Sequence, residues 1–247
     1  MKKIILSITI ASATLFSACD VLTAAADEVL GSTGETSTGL SNEDVIAGLK
    51  EALTVGIKNG AGLASKEDGF FKNDLIKLPF PPDVIKVKEK LLKDPTGLGK
   101  KKVDEFELAM NRAAELASKE AAPIFVDAIK EMTIGDGFAI LKGEDNAATN
   151  YLRDKTTSKL TAKFSPIVEN AISETKVMSL WEKVTTAYNA TNIISGNEDV
   201  DTDLNKHITD KAISGLFKLV ENEELKIRKD PVARVTDILQ KVFSTLD

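Results

Sequence analysis

Apolar residues recur along most of the chain at intervals of three and four, and no stretch alternates apolar and polar residues long enough to argue for a sheet. Val45, Leu49, Leu53 and Ile57 mark one helical face, with Ser41 and Asp44 placed to cap its start. Gly48, Gly56 and Gly60 lie along that helix at multiples of four, a spacing that suits a close helix crossing better than a ligand site. Periodicity is lost between residues 62 and 83. There Leu75, Ile76, Leu78 and Phe80 are interleaved with Pro79, Pro81 and Pro82, which predicts an extended, proline-stiffened crossing over the core.

A short helix over residues 83–93 is broken by Asp94, Pro95, Gly97 and Gly99. Val103, Phe106, Met110, Ala113, Ala114 and Ala117 then predict a long helix that continues past Pro123, with a kink, to Met132. Thr133 with Asp136 opens the next helix, which Gly143 ends. Asp145 is placed to cap another, running through Leu152, Thr156 and Leu160 to Phe164, where Ser165 and Pro166 start a new segment. Further helices are predicted over residues 174–190, over 204–228 and after Asp230 and Pro231. The fold class is therefore all-α, a single bundle-like domain of about eight to ten helices over residues 42–247.

The start of the chain reads as an address. Met1, Lys2 and Lys3 precede an apolar run, residues 4–16, that is too short to span a bilayer, and then come Leu15, Phe16, Ser17, Ala18 and Cys19. This looks like a lipobox, so residues 1–18 are expected to be a lipoprotein signal peptide and Cys19 the lipidated N-terminus. Residues 19–41 contain a Gly-, Ser- and Thr-rich run with nothing to bury, a flexible tether. The expected location is the cell envelope, lipid-anchored. Asp20 resembles the inner-membrane retention signal of enteric bacteria, a rule that does not extend to all lineages; the periplasmic face of the outer membrane is the preferred site.

Composition narrows the chemistry. The chain has one His and one Cys among 247 residues, which excludes a multi-cysteine zinc site and a disulfide framework. Without residues 1–18 it carries 30 Lys and Arg against 38 Asp and Glu, a net charge of −8 that argues against nucleic acid as a partner. The expected partners are the membrane, through the lipid, and an unknown envelope protein or small ligand.

Asp199, Asp201 and Asp203 alternate as calcium-loop ligands do, with Asp210 at the twelfth position. Leu204 stands where such a loop needs glycine, so an acidic loop capping the following helix competes with a calcium site. The run Pro95 to Lys100 fails as a phosphate-binding loop, because Asp94 replaces the first glycine and Lys101 the metal-binding hydroxyl. Lys86, Lys88, Lys90, Lys93, Lys100, Lys101 and Lys102 are opposed only by Glu89 and Asp94; they suit either a solvated helix face or contact with anionic lipid. His207 reads as a surface histidine.

Met110-Asn111-Arg112-Ala113-Ala114-Glu115, Pro123 to Ile129, Ile140-Leu141-Lys142-Gly143, Ala147 to Tyr151 and, later, Lys211 to Phe217 and Asp230-Pro231-Val232-Ala233-Arg234 together resemble a family of bacterial envelope proteins catalogued as a domain of unknown function, the DUF4197 type. The resemblance implies an α-helical, periplasm-facing domain. It implies no reaction and brings no catalytic residues. The clustered motifs suggest Asn111, Arg112, Glu115, Thr149 and Tyr151 as ligand-binding candidates, with helix packing as the competing role. The overall expectation is a non-catalytic binding or structural module. The alternatives are a carboxylate-based hydrolase or lyase, with or without a metal, and an envelope lipid binder.

Overall fold

A computed structural model describes residues 41–82, 85–173, 178–179, 181–182, 203–230 and 240. Contacts divide the chain into two units, Met1–Ser41 and Asn42–Asp247, and every helix below belongs to the second. These are α1 (Asn42–Ala64), α2 (Ile85–Leu92), α3 (Leu98–Ser118), α4 (Ala121–Lys130), α5 (Ile134–Leu141), α6 (Ala147–Ser173) and α7 (Leu204–Lys229). No strand occurs among the described residues, so the fold is all-α. The helices predicted over residues 174–190 and after Pro231 lie largely outside the described residues.

Helix α6 packs along α7 and α3, while α1 lies across α7 and α4 and touches α5. The faces that meet are the periodic ones. Leu49 and Ile57 of α1, Met110 of α3, Phe125 of α4, Leu152, Leu160 and Phe164 of α6 and Phe217 of α7 are almost fully buried. Each such side chain removed from water contributes roughly 1.5–3 kcal/mol. Phe125 and Phe217 meet edge to face at 5.5 Å. The crossing of α1 with α7 relies on the absence of side chains: a Cβ on Gly56 would lie 3.3 Å from Glu223 Cβ, and one on Gly60 3.4 Å from Leu219 Cβ.

Three boundaries depart from the sequence pattern. The long helix expected from Val103 to Met132 is two helices, with Lys119 and Glu120 between them. Pro123 then falls in the first turn of α4, where a missing N–H costs no helical bond. Conversely, Pro166 starts no new segment and lies inside α6. The buried series Leu160, Phe164, Val168 and Ile172 runs through it, and Asn205 of α7 exchanges bonds with Ser165, Nδ2 donating to the carbonyl at 3.0 Å and Oδ1 accepting from Oγ at 3.2 Å. Packing on both sides outweighs the one lost backbone bond. Third, α6 is not capped by Asp145, whose carboxylate pairs with Lys229 at 2.5 Å. The box on α5 forms as expected: Thr133 Oγ1 accepts from Asp136 N, and Asp136 accepts from Thr133 N.

The crossing between α1 and α2 has little regular structure, as expected, and it is tied down. Phe70, Ile76, Leu78 and Phe80 are buried. A Cβ on Gly215 of α7 would lie 3.0 Å from the Phe70 ring and 3.2 Å from Ile76 Cβ, so that glycine lets the segment rest on the helix.

Candidate functional site

Asn111, Arg112 and Glu115 occupy successive turns of α3 facing the 67–78 segment. Asn111 is fully buried; its Oδ1 accepts from Leu78 N at 2.8 Å, and its Nδ2 donates to Leu78 O at 3.0 Å and to Glu107 O at 2.7 Å. One amide thus mimics a strand partner for a segment that has none. Glu115 is also buried, its Oε1 accepting from Phe70 N at 3.1 Å and Phe71 N at 3.2 Å. Arg112 neutralises it with a 2.6 Å bond to Oε2 and reaches Asp68 at 2.7 Å. Asp68 holds a left-handed backbone with φ of 65°, a conformation that costs a non-glycine residue energy and that these bonds stabilise. Hydrogen bonds from Lys72 and then Arg112 hold the Asp68 carboxyl below the ordinary carboxylate value.

Thr149 belongs to a second arrangement of the same kind. Glu224 of α7 is buried and accepts from Ala148 N at 2.9 Å and from Thr149 N and Oγ1 at 2.8 Å, closing the first turn of α6 from across the core. Arg228, one turn on, bonds Glu224 at 2.9 Å and donates to Ile140 O at 2.8 Å at the carboxyl end of α5. One glutamate–arginine pair therefore fastens both sides of the α5–α6 turn.

The five ligand-binding candidates do not act as one set. Four of them spend their polar atoms on the protein's own backbone and neighbouring acids. Tyr151, half-buried on α6, has Lys155 over its ring at 5.7 Å, and its hydroxyl pKa is raised by burial, then by Asp136 and Glu131. Of the calcium candidates, Asp199 and Asp201 lie outside the described residues, as does Cys19. Asp203 caps α7, accepting from Lys206 N at 2.8 Å, and Asp210 pairs with Lys206 at 2.7 Å. No group of three or more His, Cys, Asp or Glu side chains suited to a metal occurs among the described residues.

Asp94 occupies the turn that fails as a phosphate loop. It accepts from Thr96 N at 3.0 Å and from Gly99 N at 2.9 Å, so the protein's own carboxylate fills the start of α3; these bonds, Thr96 first, lower its pKa. The lysine stretch is partly matched by acids: Lys88 meets Glu107 and Lys100 meets Asp104, each at 2.5 Å, and Lys101 lies 3.8 Å from Glu105.

The open concavity lies elsewhere. A cleft of about 270 Å³ separates the backbone of residues 75–79 from α7 and is bordered by Arg153, Lys211, Ser214, Lys218 and Glu221. A second cleft of about 410 Å³, between Pro81, Trp181 and the start of α7, also has Lys211 and Ser214 in its wall, together with Asp203, His207 and Asp210. The Arg153 guanidinium lies over the buried Phe217 ring, 4.5 Å from its centroid. Sequence reasoning passed over Arg153 and Lys211, because each is an ordinary exposed cation on its own helix. Only the packing of α6 and the 75–79 segment against α7 brings them to one cleft.

These observations define an all-helical domain in which each of the buried glutamates among the described residues, Glu115 and Glu224, forms a clasp with an arginine, and which carries a cation-rimmed cleft. The chain belongs to the family described as Protein of unknown function (DUF4197), whose profile matches residues 39–244. No curated protein and no solved structure matches it. No helix among the described residues is long and apolar enough to cross a membrane.

Proposed function

We propose that the protein is a non-catalytic binding module of eight to ten helices, held on the periplasmic face of the outer membrane by a lipid on Cys19. The observation that carries this reading is how the buried polar groups are spent. Asn111, Glu115 and Glu224 close backbone bonds and Thr149 Oγ1 is spent on Glu224, whereas the accessible cleft is rimmed by cations and main chain. A carboxylate already holding two backbone N–H groups and an arginine is poorly placed for proton transfer. The test is Cys19→Ser in cells: acyl labelling is expected to vanish and the protein to leave the membrane fraction, and an unchanged membrane fraction with unchanged labelling would sink the anchor. In-cell crosslinking then identifies what the module holds.

One observation favours a second reading, the carboxylate hydrolase or lyase. Asp203 and Asp210 line the same 410 Å³ cleft, with His207 between them in sequence. If the chain turns over any of a panel of esters and glycosides, and Asp210→Asn abolishes that turnover, this reading replaces the first.

A further inference from the structure

The cleft between residues 75–79 and α7 concentrates positive charge without using it. Lys77, Arg153, Lys211 and Lys218 border it, with Glu221 as the one carboxylate in its wall. Glu221 is committed to Lys218 at 2.9 Å. Among the described residues Arg153 and Lys211 have no ion pair, and Lys77 has only the Phe71 ring, at 4.7 Å. Three unmatched cations thus border one concavity in a protein whose overall charge is negative. Mutual repulsion among like charges is a cost that a bound anion removes.

Arg153 is also oriented. Its guanidinium carbon lies 4.5 Å from the centroid of the Phe217 ring, which is 1% exposed, so the group is anchored on the core while its N–H donors remain available to a ligand. Lys211 supplies a point charge and Ser214 a hydroxyl donor from the next turn of the same helix.

We infer that this cleft binds the phosphate group of a phosphate ester, with Arg153 and Lys211 as its principal contacts. A phosphate monoester carries about −1.5 to −2 charges near neutrality, a closer match to three cations than a single carboxylate. The 270 Å³ volume exceeds what one phosphate group fills, and the wall shared through Lys211 and Ser214 leads to the cleft beside Trp181 and Pro81, where the rest of the ester would lie. The inference rests on the binding-module reading and adds a ligand class to it.

The test uses the full-length protein in detergent, with three probes: inorganic phosphate, glycerol 3-phosphate, and a short-chain phosphatidic acid, with short-chain phosphatidylcholine as its control. Saturable binding to at least one phosphate-bearing probe is expected, with an affinity about tenfold weaker in the Arg153→Gln, Lys211→Gln double variant. Lys159→Gln, an exposed change on α6 outside the cleft, is expected to bind as the wild type does. Binding to glycerol 3-phosphate identifies a soluble ester, and binding to short-chain phosphatidic acid but not to short-chain phosphatidylcholine, competed by inorganic phosphate, identifies a lipid headgroup; either supports the site. Absence of saturable binding to every probe into the tens of millimolar, or equal binding by the double variant, overturns it. Release of free phosphate from glycerol 3-phosphate would instead keep the site and refute the non-catalytic reading. The Cys19→Ser fractionation is read independently of all of these.

Discussion

The two clasps use the same residue types for different loads. Arg112 and Glu115 are spaced i,i+3 on α3 and hold an irregular segment; Glu224 and Arg228 are spaced i,i+4 on α7 and hold the ends of two helices. The first is half open, with the Arg112 side chain 31% exposed, while that of Arg228 is 10% exposed. In both, the glutamate is buried and the arginine lies nearer water. Burying a carboxylate is unfavourable unless its lone pairs are filled, and each clasp fills them with two backbone N–H groups before adding the guanidinium. The difference lies in what those N–H groups could do otherwise. Residues 70–71 can return to water if the segment lifts, whereas the first turn of α6 sits against the core and cannot.

The largest effect is therefore expected at the second clasp. Glu224→Ala leaves Ala148 N and Thr149 N buried without their acceptor and Arg228 without its carboxylate. Breaking such a pair from one side costs about 3–5 kcal/mol, read as a lower urea midpoint at unchanged slope. Glu115→Ala removes the equivalent group from the more open clasp, and about 2 kcal/mol is expected. It also carries a local signature: residues 66–72 should become faster sites for trypsin at Lys66 and Lys72, with the rest of the domain still protected. If Glu115→Ala proved the costlier of the two, or left proteolysis of the segment unchanged, the contrast would be wrong.

A smaller change separates the segment's own strain from its clasp. Gly69 packs so closely that a Cβ would collide with the carbonyl oxygens of Leu63 and Ala64, at the end of α1. Gly69→Ala is expected to cost about 1–3 kcal/mol. In combination with Glu115→Ala it should cost less than the sum, because the segment has already been released. Strict additivity in denaturant titrations would show that Gly69 and Glu115 hold different things.

These contrasts also mark what the sequence pattern reveals. The helical faces could be read from spacing alone, as could the box of Thr133 and Asp136, because both depend on residues a few positions apart. The glycines of α1 were legible too, and Gly56 and Gly60 do sit at the crossing with α7. Glu224 was not legible as the cap of α6, since its acceptors' partners lie 75 and 76 residues away and its only local sign is an arginine four places on, which any exposed helix can offer. Pro166 misled because the Asn205 side chain that supports its turn comes from α7. Asn111, Arg112 and Glu115 stood out because the family-like motifs cluster there, with helix packing as the competing role, and their side chains bond the 68–78 segment of the chain itself.

The smallest prediction concerns the one cap that is wholly local. In α5 the bonds from Thr133, backbone first and then side chain, lower the Asp136 pKa from its ordinary value of 3.8. The unfolded chain therefore binds this proton at a higher pH than the folded one. The stability Asp136 contributes is complete above about pH 3.8 and is lost as pH falls below it toward the folded value. Thr133→Ala removes the hydroxyl's two bonds while leaving the backbone N–H to the carboxylate, and should cost about 1 kcal/mol at neutral pH. In acid, where the wild type has itself lost the charged carboxylate that accepts from the Thr133 hydroxyl, the gap between the two proteins should narrow. A gap that stayed constant between neutral pH and pH 3 in urea titrations would show that the hydroxyl, and not the carboxylate, supplies the stabilisation. Neither clasp should move in this comparison, since the hydrogen bonds of the α5 box join only Thr133 and Asp136, while the second clasp meets α5 at its opposite end, at Ile140 O.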